Sequence, residues 1–108
     1  HVEIYRPWGS YIRTDAGPGF ETRRLIINPG HKISFQAHEL RDEHWVVVSG
    51  EIELLTKEDT QTLHPGQSVF AAAGTAHSIH NPGISPTHVI EIRTGKHISE
   101  DDVKRFSS

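Results

Sequence analysis

The apolar positions along this chain hold no helical repeat before residue 98. They gather instead in short segments: Thr22–Asn28, Lys32–His38, Glu43–Ser49, Ile52–Thr56, Ser68–Ala72, His77–His80 and Thr87–Arg93. Segments of this length, bounded by turn residues, predict strands. The boundaries are marked by Gly17-Pro18-Gly19, Pro29-Gly30, Pro65-Gly66 and Pro82-Gly83. In each, Pro presets φ and Gly accepts the positive φ of a type II turn. Val, Ile and Thr supply 26 of the residues, and β-branched side chains suit a pleated surface better than a helix. Several short strands spaced by turns predict an all-β sandwich or closed barrel. A short C-terminal helix is expected at Ser99–Arg105, with Ser99 as N-cap and acids in its first turn. Arg6-Pro7-Trp8-Gly9 carries no evident chemistry and reads as an arm covering a sheet edge.

Composition narrows the picture. Leu, Ile, Val and Phe make up 27 of 108 residues, enough for a small folded core. The length and the lack of any linker or charge block predict a single domain over residues 1–108. Eleven Lys and Arg face fourteen Asp and Glu, a net charge of −3. A phosphate-tracking nucleic-acid binder would carry a basic surplus, so no nucleic-acid partner is expected. There is no cysteine, which excludes disulfides and thiolate chemistry and accords with a reducing, cytoplasmic setting. No apolar run has the length of a membrane span, so no membrane partner is expected.

The candidate chemistry lies in nine histidines. Alternation along Lys32–His38 puts Ser34, Gln36 and His38 on one face of a strand. After a loop at Glu39–Asp42, Glu43 opens the next strand, whose face continues through Trp45 and Val47. Gly74-Thr75-Ala76 then turns into His77, which can add a second imidazole from across a barrel. An amide, two imidazoles and a carboxylate form an N/O set that suits a divalent metal with a position left for substrate. His44 and His80 fall on less favourable parity, and His31, His64, His88 and His97 sit at turns or outer faces. Trp45 reads as core packing in preference to a sugar platform.

Two spaced motifs connect these residues to a known family. Gly30-x5-Gln36-x-His38-x4-Glu43-x6-Gly50 resembles the first cupin motif, with Gln36 where many cupins have a histidine. Gly66-x5-Ala72-x-Gly74-x2-His77-x3-Asn81 resembles the second, with Ala72 in place of the usual proline, and fifteen residues lie between the two. The segments Arg6–Tyr11, Gln36–His38, Arg41–Gly50, Pro65–Ser68, Ile90–Ile92 and Glu100–Arg105 are similar to the type II mannose-6-phosphate isomerase domain. That domain is often the C-terminal half of bifunctional mannose-1-phosphate guanylyltransferase/isomerase enzymes. Arg93 stands where the family usually has glutamine. No Gly-rich nucleotide-binding segment precedes the matching region, so guanylyltransferase activity is not expected of this chain.

The resemblance implies a double-stranded β-helix, a jelly-roll barrel with one divalent ion inside. Zinc is the first expectation, with iron, manganese, cobalt or nickel as alternatives. The ligands would be Gln36, His38, Glu43 and His77, the substrate a phosphosugar, and the assembly a homodimer. The implied reaction interconverts mannose 6-phosphate and fructose 6-phosphate through a cis-enediolate, with a base moving the proton between C2 and C1. Glu91, on the same face as Arg93, is the candidate base, on the expectation that burial raises its pKa. Arg41 is the first candidate for the substrate phosphate and a catalytic cation, followed by Arg23, Lys32 and Arg93, because guanidinium binds phosphate with two prongs. The rival readings are a non-catalytic metal-containing sugar-binding or regulatory cupin and, further off, a cupin oxygenase.

Overall fold

The computed structural model describes residues 2–37, 41–96 and 104–105. Eleven strands are present among them: β1 Glu3–Arg6, β2 Gly9–Gly17, β3 Phe20–Ile27, β4 Lys32–Ala37, β5 Arg41–Ser49, β6 Ile52–Leu55, β7 Thr60–Leu63, β8 Ser68–Ala71, β9 His77–His80, β10 Thr87–Gly95 and β11 Lys104–Arg105. They form two sheets, ordered β1-β2-β3-β10-β5-β8 and β11-β4-β9-β6-β7, with every pairing antiparallel. From β3 onward the chain crosses repeatedly from one sheet to the other, which winds the strands into the expected double-stranded β-helix. No helix occurs among the described residues, so none is long and apolar enough to cross a membrane.

The expected C-terminal helix is corrected at its end. Lys104 and Arg105 pair with Ala37 and Gln36 as strand β11, while residues 99–103 lie outside the described residues. The arm at Arg6–Gly9 is the turn of the β1–β2 hairpin, in which Arg6 pairs with Gly9. β2 covers the edge that β3 would otherwise expose. β1, β2 and β7 were not foreseen as strands. The exposed Thr60-Gln61-Thr62 of β7 has no buried face to reveal its period.

One apolar core fills the space between the sheets: Leu25, Ile27, Trp45, Val47, Ile52, Leu54, Leu63, Ala71, Ile79 and Val89, flanked by Trp8, Tyr11, Ile33 and Val69. The inward positions of β3, β5 and β10 sort by height. Thr87 pairs with Ile27, and Val89 pairs with both Leu25 and Val47, so this end is mainly apolar. Farther along, Glu91 pairs with Arg23 and Trp45, and Arg93 pairs with Glu21 and Glu43. The other end is therefore charged inside. Gly50 holds the β5–β6 turn at φ +82°, and a Cβ there would lie 2.5 Å from the Thr87 hydroxyl, so only glycine fits without strain.

β5 begins two residues earlier than expected. Arg41 pairs with Gly95 and Asp42 with Thr94, and Arg41 continues the inward face of Glu43 and Trp45. Arg41 and Asp42, expected in the Glu39–Asp42 loop, belong to the strand instead, and the barrel interior at this end is itself charged. In β4 the alternation is broken. Ile33 pairs with Ile79 and Gln36 with His77, three steps on one strand against two on the other. That extra residue is a β-bulge, which reverses the parity of the later positions in the strand. Ile33 packs against the core, and Gln36 takes the register position paired with His77.

Candidate metal centre

Glu43 and His77 come from different sheets and meet inside the charged end of the barrel. His77 Nε2 stands 3.4 Å from Glu43 Oε1, and both side chains are buried. Turn chemistry aims the imidazole. Thr75 N–H donates to the Ala72 carbonyl at 3.1 Å, and Gly74 at φ +85° supplies the third residue of a type II turn. His77 Nδ1 lies 3.0 Å from the Thr75 carbonyl oxygen. A neutral ring donates its proton there, and Nε2 is left with a lone pair facing Glu43. The turn is also tied to β5, because Ala73 N–H donates to the Asp42 carboxylate at 2.7 Å. Asp42 thus fixes the His77 turn to the strand that carries Glu43, a role no sequence motif signalled.

The donor set fits a divalent ion. Two ligand atoms each about 2.1 Å from one ion at the tetrahedral angle stand about 3.4 Å apart, the separation found between Nε2 and Oε1. Gln36 occupies the β4 position paired with His77, so the strand register brings a third candidate to the same level. His38 lies outside the described residues. Among the described residues no three His, Asp or Glu side chains cluster in a way that would hold an ion. Glu43 and His77 are therefore the candidate ligands that the structure brings together.

Around them is a lattice of alternating charge. Glu21, Arg23, Arg41, Glu43, Glu91 and Arg93 are all buried. Arg41 Nε donates to Glu43 Oε2 at 3.2 Å, and Arg93 Nε stands 3.6 Å from the same oxygen. Arg93 Nε donates to Glu91 Oε1 at 3.0 Å, and its terminal nitrogen reaches Glu21 at 3.3 Å. Arg23 Nε donates to Glu91 Oε1 at 2.6 Å, with its guanidinium over the Tyr11 ring. Opposite charges directly across neighbouring strands stabilise a sheet, and here they also neutralise charges that would be costly to bury alone.

This lattice corrects one expectation and locates the other candidates. The Glu91 pKa is not raised. Burial alone pushes it up, but the Arg23 and Arg93 charges and the hydrogen bonds from Arg23 and Trp45 outweigh burial and hold it well below the usual carboxylate range. Glu91 is therefore not a base tuned toward neutrality. The guanidiniums of Arg23 and Arg93, both candidates for the phosphate, are matched to the carboxylates of Glu21, Glu43 and Glu91, as that of Arg41 is to Glu43. Lys32 is exposed and pairs with His80. It sits four strand positions from Gln36, roughly 13 Å along β4, at the wrong end of the barrel for the site. Arg41 is inside, 2% exposed, and beside Glu43.

The other histidines stay apart. His44 is exposed on the outer face and lies against Phe70 with ring centres 4.5 Å apart and planes tilted by 48°. His80 pairs with Glu53 at 2.7 Å on the outer face of the second sheet. His31 and His64 are exposed and His88 is half-buried, while His97 lies outside the described residues. Trp45 is core, as expected, at 1% exposure. It does more than pack: its indole N–H donates to Glu91 Oε2 at 3.0 Å, and its ring meets the His77 ring edge-on at 4.5 Å.

Some known proteins are similar to this chain in sequence, and others in fold. The profile of the family described as "Mannose-6-phosphate isomerase C-terminal" matches residues 1–108. The chain is 41% identical over 106 residues to the alginate biosynthesis protein AlgA of Pseudomonas putida, covering 98% of this chain and 22% of that protein. It is 41% identical over 107 residues to a mannose-1-phosphate guanylyltransferase of Escherichia coli K12, covering 99% of this chain and 22% of that protein. The chain thus spans less than a quarter of the length of these relatives. In fold it is similar to KdgF from Halomonas, with a TM-score of 0.83 over 90% of both chains at 19% identity.

Proposed function

Because this chain belongs to the mannose-6-phosphate isomerase C-terminal family, we propose that it is a metal-dependent aldose–ketose isomerase acting on a phosphosugar, interconverting mannose 6-phosphate and fructose 6-phosphate. The observation that carries the proposal is the meeting of Glu43 Oε1 and His77 Nε2 at 3.4 Å inside the charged end of the barrel. Gln36, His38, Glu43 and His77 would hold one divalent ion, zinc in the first instance. When bound, such an ion supplies Lewis-acid stabilisation of charge on the sugar's C1 and C2 oxygens.

The chain's own residues prepare that role. The Thr75 carbonyl fixes the His77 tautomer, and Arg41 holds the outer oxygen of Glu43, which leaves Oε1 turned to the imidazole. Arg41 lies one inward position beyond Glu43 on β5, away from the apolar core. It is the cation proposed to meet the substrate phosphate. The name of the E. coli relative, mannose-1-phosphate guanylyltransferase, supports a phosphosugar as the ligand class. A homodimer is proposed from the same family resemblance.

The test is a coupled assay for fructose 6-phosphate with metal-loaded protein and mannose 6-phosphate. Product formation that disappears on chelation supports the isomerase, and no product above the metal-free protein rejects it. One observation favours a second reading, a metal-holding cupin that binds sugar without turnover. Glu91, the expected base, is an ion-paired carboxylate. Sugar binding by calorimetry without product would establish that reading.

A further inference from the structure

Glu43 and His77 lie on strands of different sheets, and no backbone hydrogen bond joins β5 to β9. The β5–β8 ladder and the bond from Ala73 N–H to Asp42 bring the His77 turn to β5, and the side-chain contacts that orient the two ligands within that frame converge on one carboxylate. Glu91 Oε1 accepts from Arg93 Nε at 3.0 Å, and that Nε stands 3.6 Å from Glu43 Oε2. Glu91 Oε2 accepts from the Trp45 indole at 3.0 Å, and that indole meets the His77 ring edge-on at 4.5 Å. Arg23 Nε at 2.6 Å locks Glu91 from the third side. One oxygen leads to one candidate ligand, and the other oxygen leads to the second.

We propose, resting on the metal reading above, that Glu91 is a positioning residue that sets both candidate metal ligands, Glu43 through Arg93 and His77 through Trp45. Buried arginine and tryptophan side chains are strong relays because each is held by packing as well as by hydrogen bonds. A carboxylate is needed at the centre because all its neighbours are donors. An amide has one acceptor oxygen, and its NH2 would face a guanidinium or the indole N–H, donor against donor. Glu91→Gln therefore keeps the volume and breaks one of the two relays.

The test uses Co²⁺, which reports ligand geometry through its visible absorption, in competition with a chelator. Wild type, Glu91→Gln, Trp45→Phe and Val89→Ala are compared. Glu91→Gln and Trp45→Phe are expected to lose Co²⁺ affinity by about tenfold or more, with a changed absorption band. Val89 is buried two residues from Glu91 on the same face. Val89→Ala is expected to melt at lower temperature yet to bind Co²⁺ as wild type does, which separates positioning from general loosening. Wild-type affinity and spectrum in Glu91→Gln and Trp45→Phe overturn the proposal. A weakened Glu91→Gln with an unchanged spectrum, beside an unaffected Trp45→Phe, also overturns it, because only the field of the carboxylate would then act. If Glu91→Gln does not fold, the charge-neutral Trp45→Phe decides alone. Failure of the wild type to take up Co²⁺ overturns the metal reading and this inference together, an outcome distinct from wild-type uptake with unaffected variants.

Discussion

His77 Nε2 faces Glu43 Oε1 across 3.4 Å, while the remaining polar atom of each side chain is already held. Nδ1 of the histidine is committed to the Thr75 carbonyl, and Oε2 of the glutamate to Arg41. The two atoms turned toward each other stand at the separation expected of two ligands of one ion. This pattern, ligand atoms inward and partners behind them, is how outer contacts orient a metal site.

The first prediction concerns that pair. Purified protein should carry about one divalent ion per chain, and His77→Ala, Glu43→Ala and His38→Ala should each lose it. Removing one ligand opens the coordination and lets the rest relax. Elemental analysis of the dialysed variants checks this, and full occupancy in all three would remove these residues from the ligand set.

Parts of the candidate site and of the barrel were legible in the sequence, for different reasons. Alternation in β5 could be followed because the core residues Trp45 and Val47 anchor its parity. In β4 a bulge between Ile33 and Gln36 interrupts the alternation, and it leaves no mark in composition. Glu21 and Arg23 share a parity with Leu25 and Ile27, so their inward direction could be read. Their burial could not, because charged residues are buried only when matched by partners elsewhere in the chain. Glu91 shows the cost of that gap. Burial was foreseen, but the two guanidiniums that reverse its effect come from β3 and from its own strand. β7 and the β1–β2 hairpin lie at sheet edges, where one-sided packing leaves little alternation to detect.

Parity gives a second prediction. His44 points away from Glu43, exposed against Phe70. His44→Ala should keep the metal and most of any activity, with a stability change within about 0.5 kcal/mol, as for other surface positions. Metal analysis and thermal melts of His44→Ala beside His77→Ala make the comparison. Equal damage would mean the inward face of β5 is misassigned by one residue.

Acid should expose the Glu91 lattice. The folded group titrates well below its ordinary value, since the two arginines outweigh burial. A carboxylate with a depressed folded pKa contributes stability that is fully present above the unfolded value, about 4.3. That contribution is lost as pH falls below it, toward the folded value. The urea midpoint of metal-free protein should therefore fall steeply below about pH 4. Glu91→Gln should begin less stable, by about 3–5 kcal/mol for a broken buried pair, and should show a shallower acid slope. An unchanged slope would mean that Glu91 is not an ionised member of the lattice.

Arg41 allows the substrate class to be tested apart from turnover. If its guanidinium meets the phosphate, Arg41→Ala should weaken mannose 6-phosphate far more than mannose, because only one of them offers a charged acceptor. Charge-assisted hydrogen bonds contribute roughly 1.5–3 kcal/mol each, on the order of tenfold to a hundredfold in affinity. Arg41 also holds Glu43 at 3.2 Å, so the variant must be assayed at measured metal occupancy. Arg41→Lys should recover part of the phosphate preference and little of the two-pronged geometry. Calorimetric titration of wild type and both variants with the two sugars distinguishes the roles. A loss confined to the phosphorylated sugar assigns Arg41 to the phosphate. Equal losses on both sugars, together with reduced metal content, would make Arg41 an orienter of Glu43 and would leave the phosphate to be met by another residue.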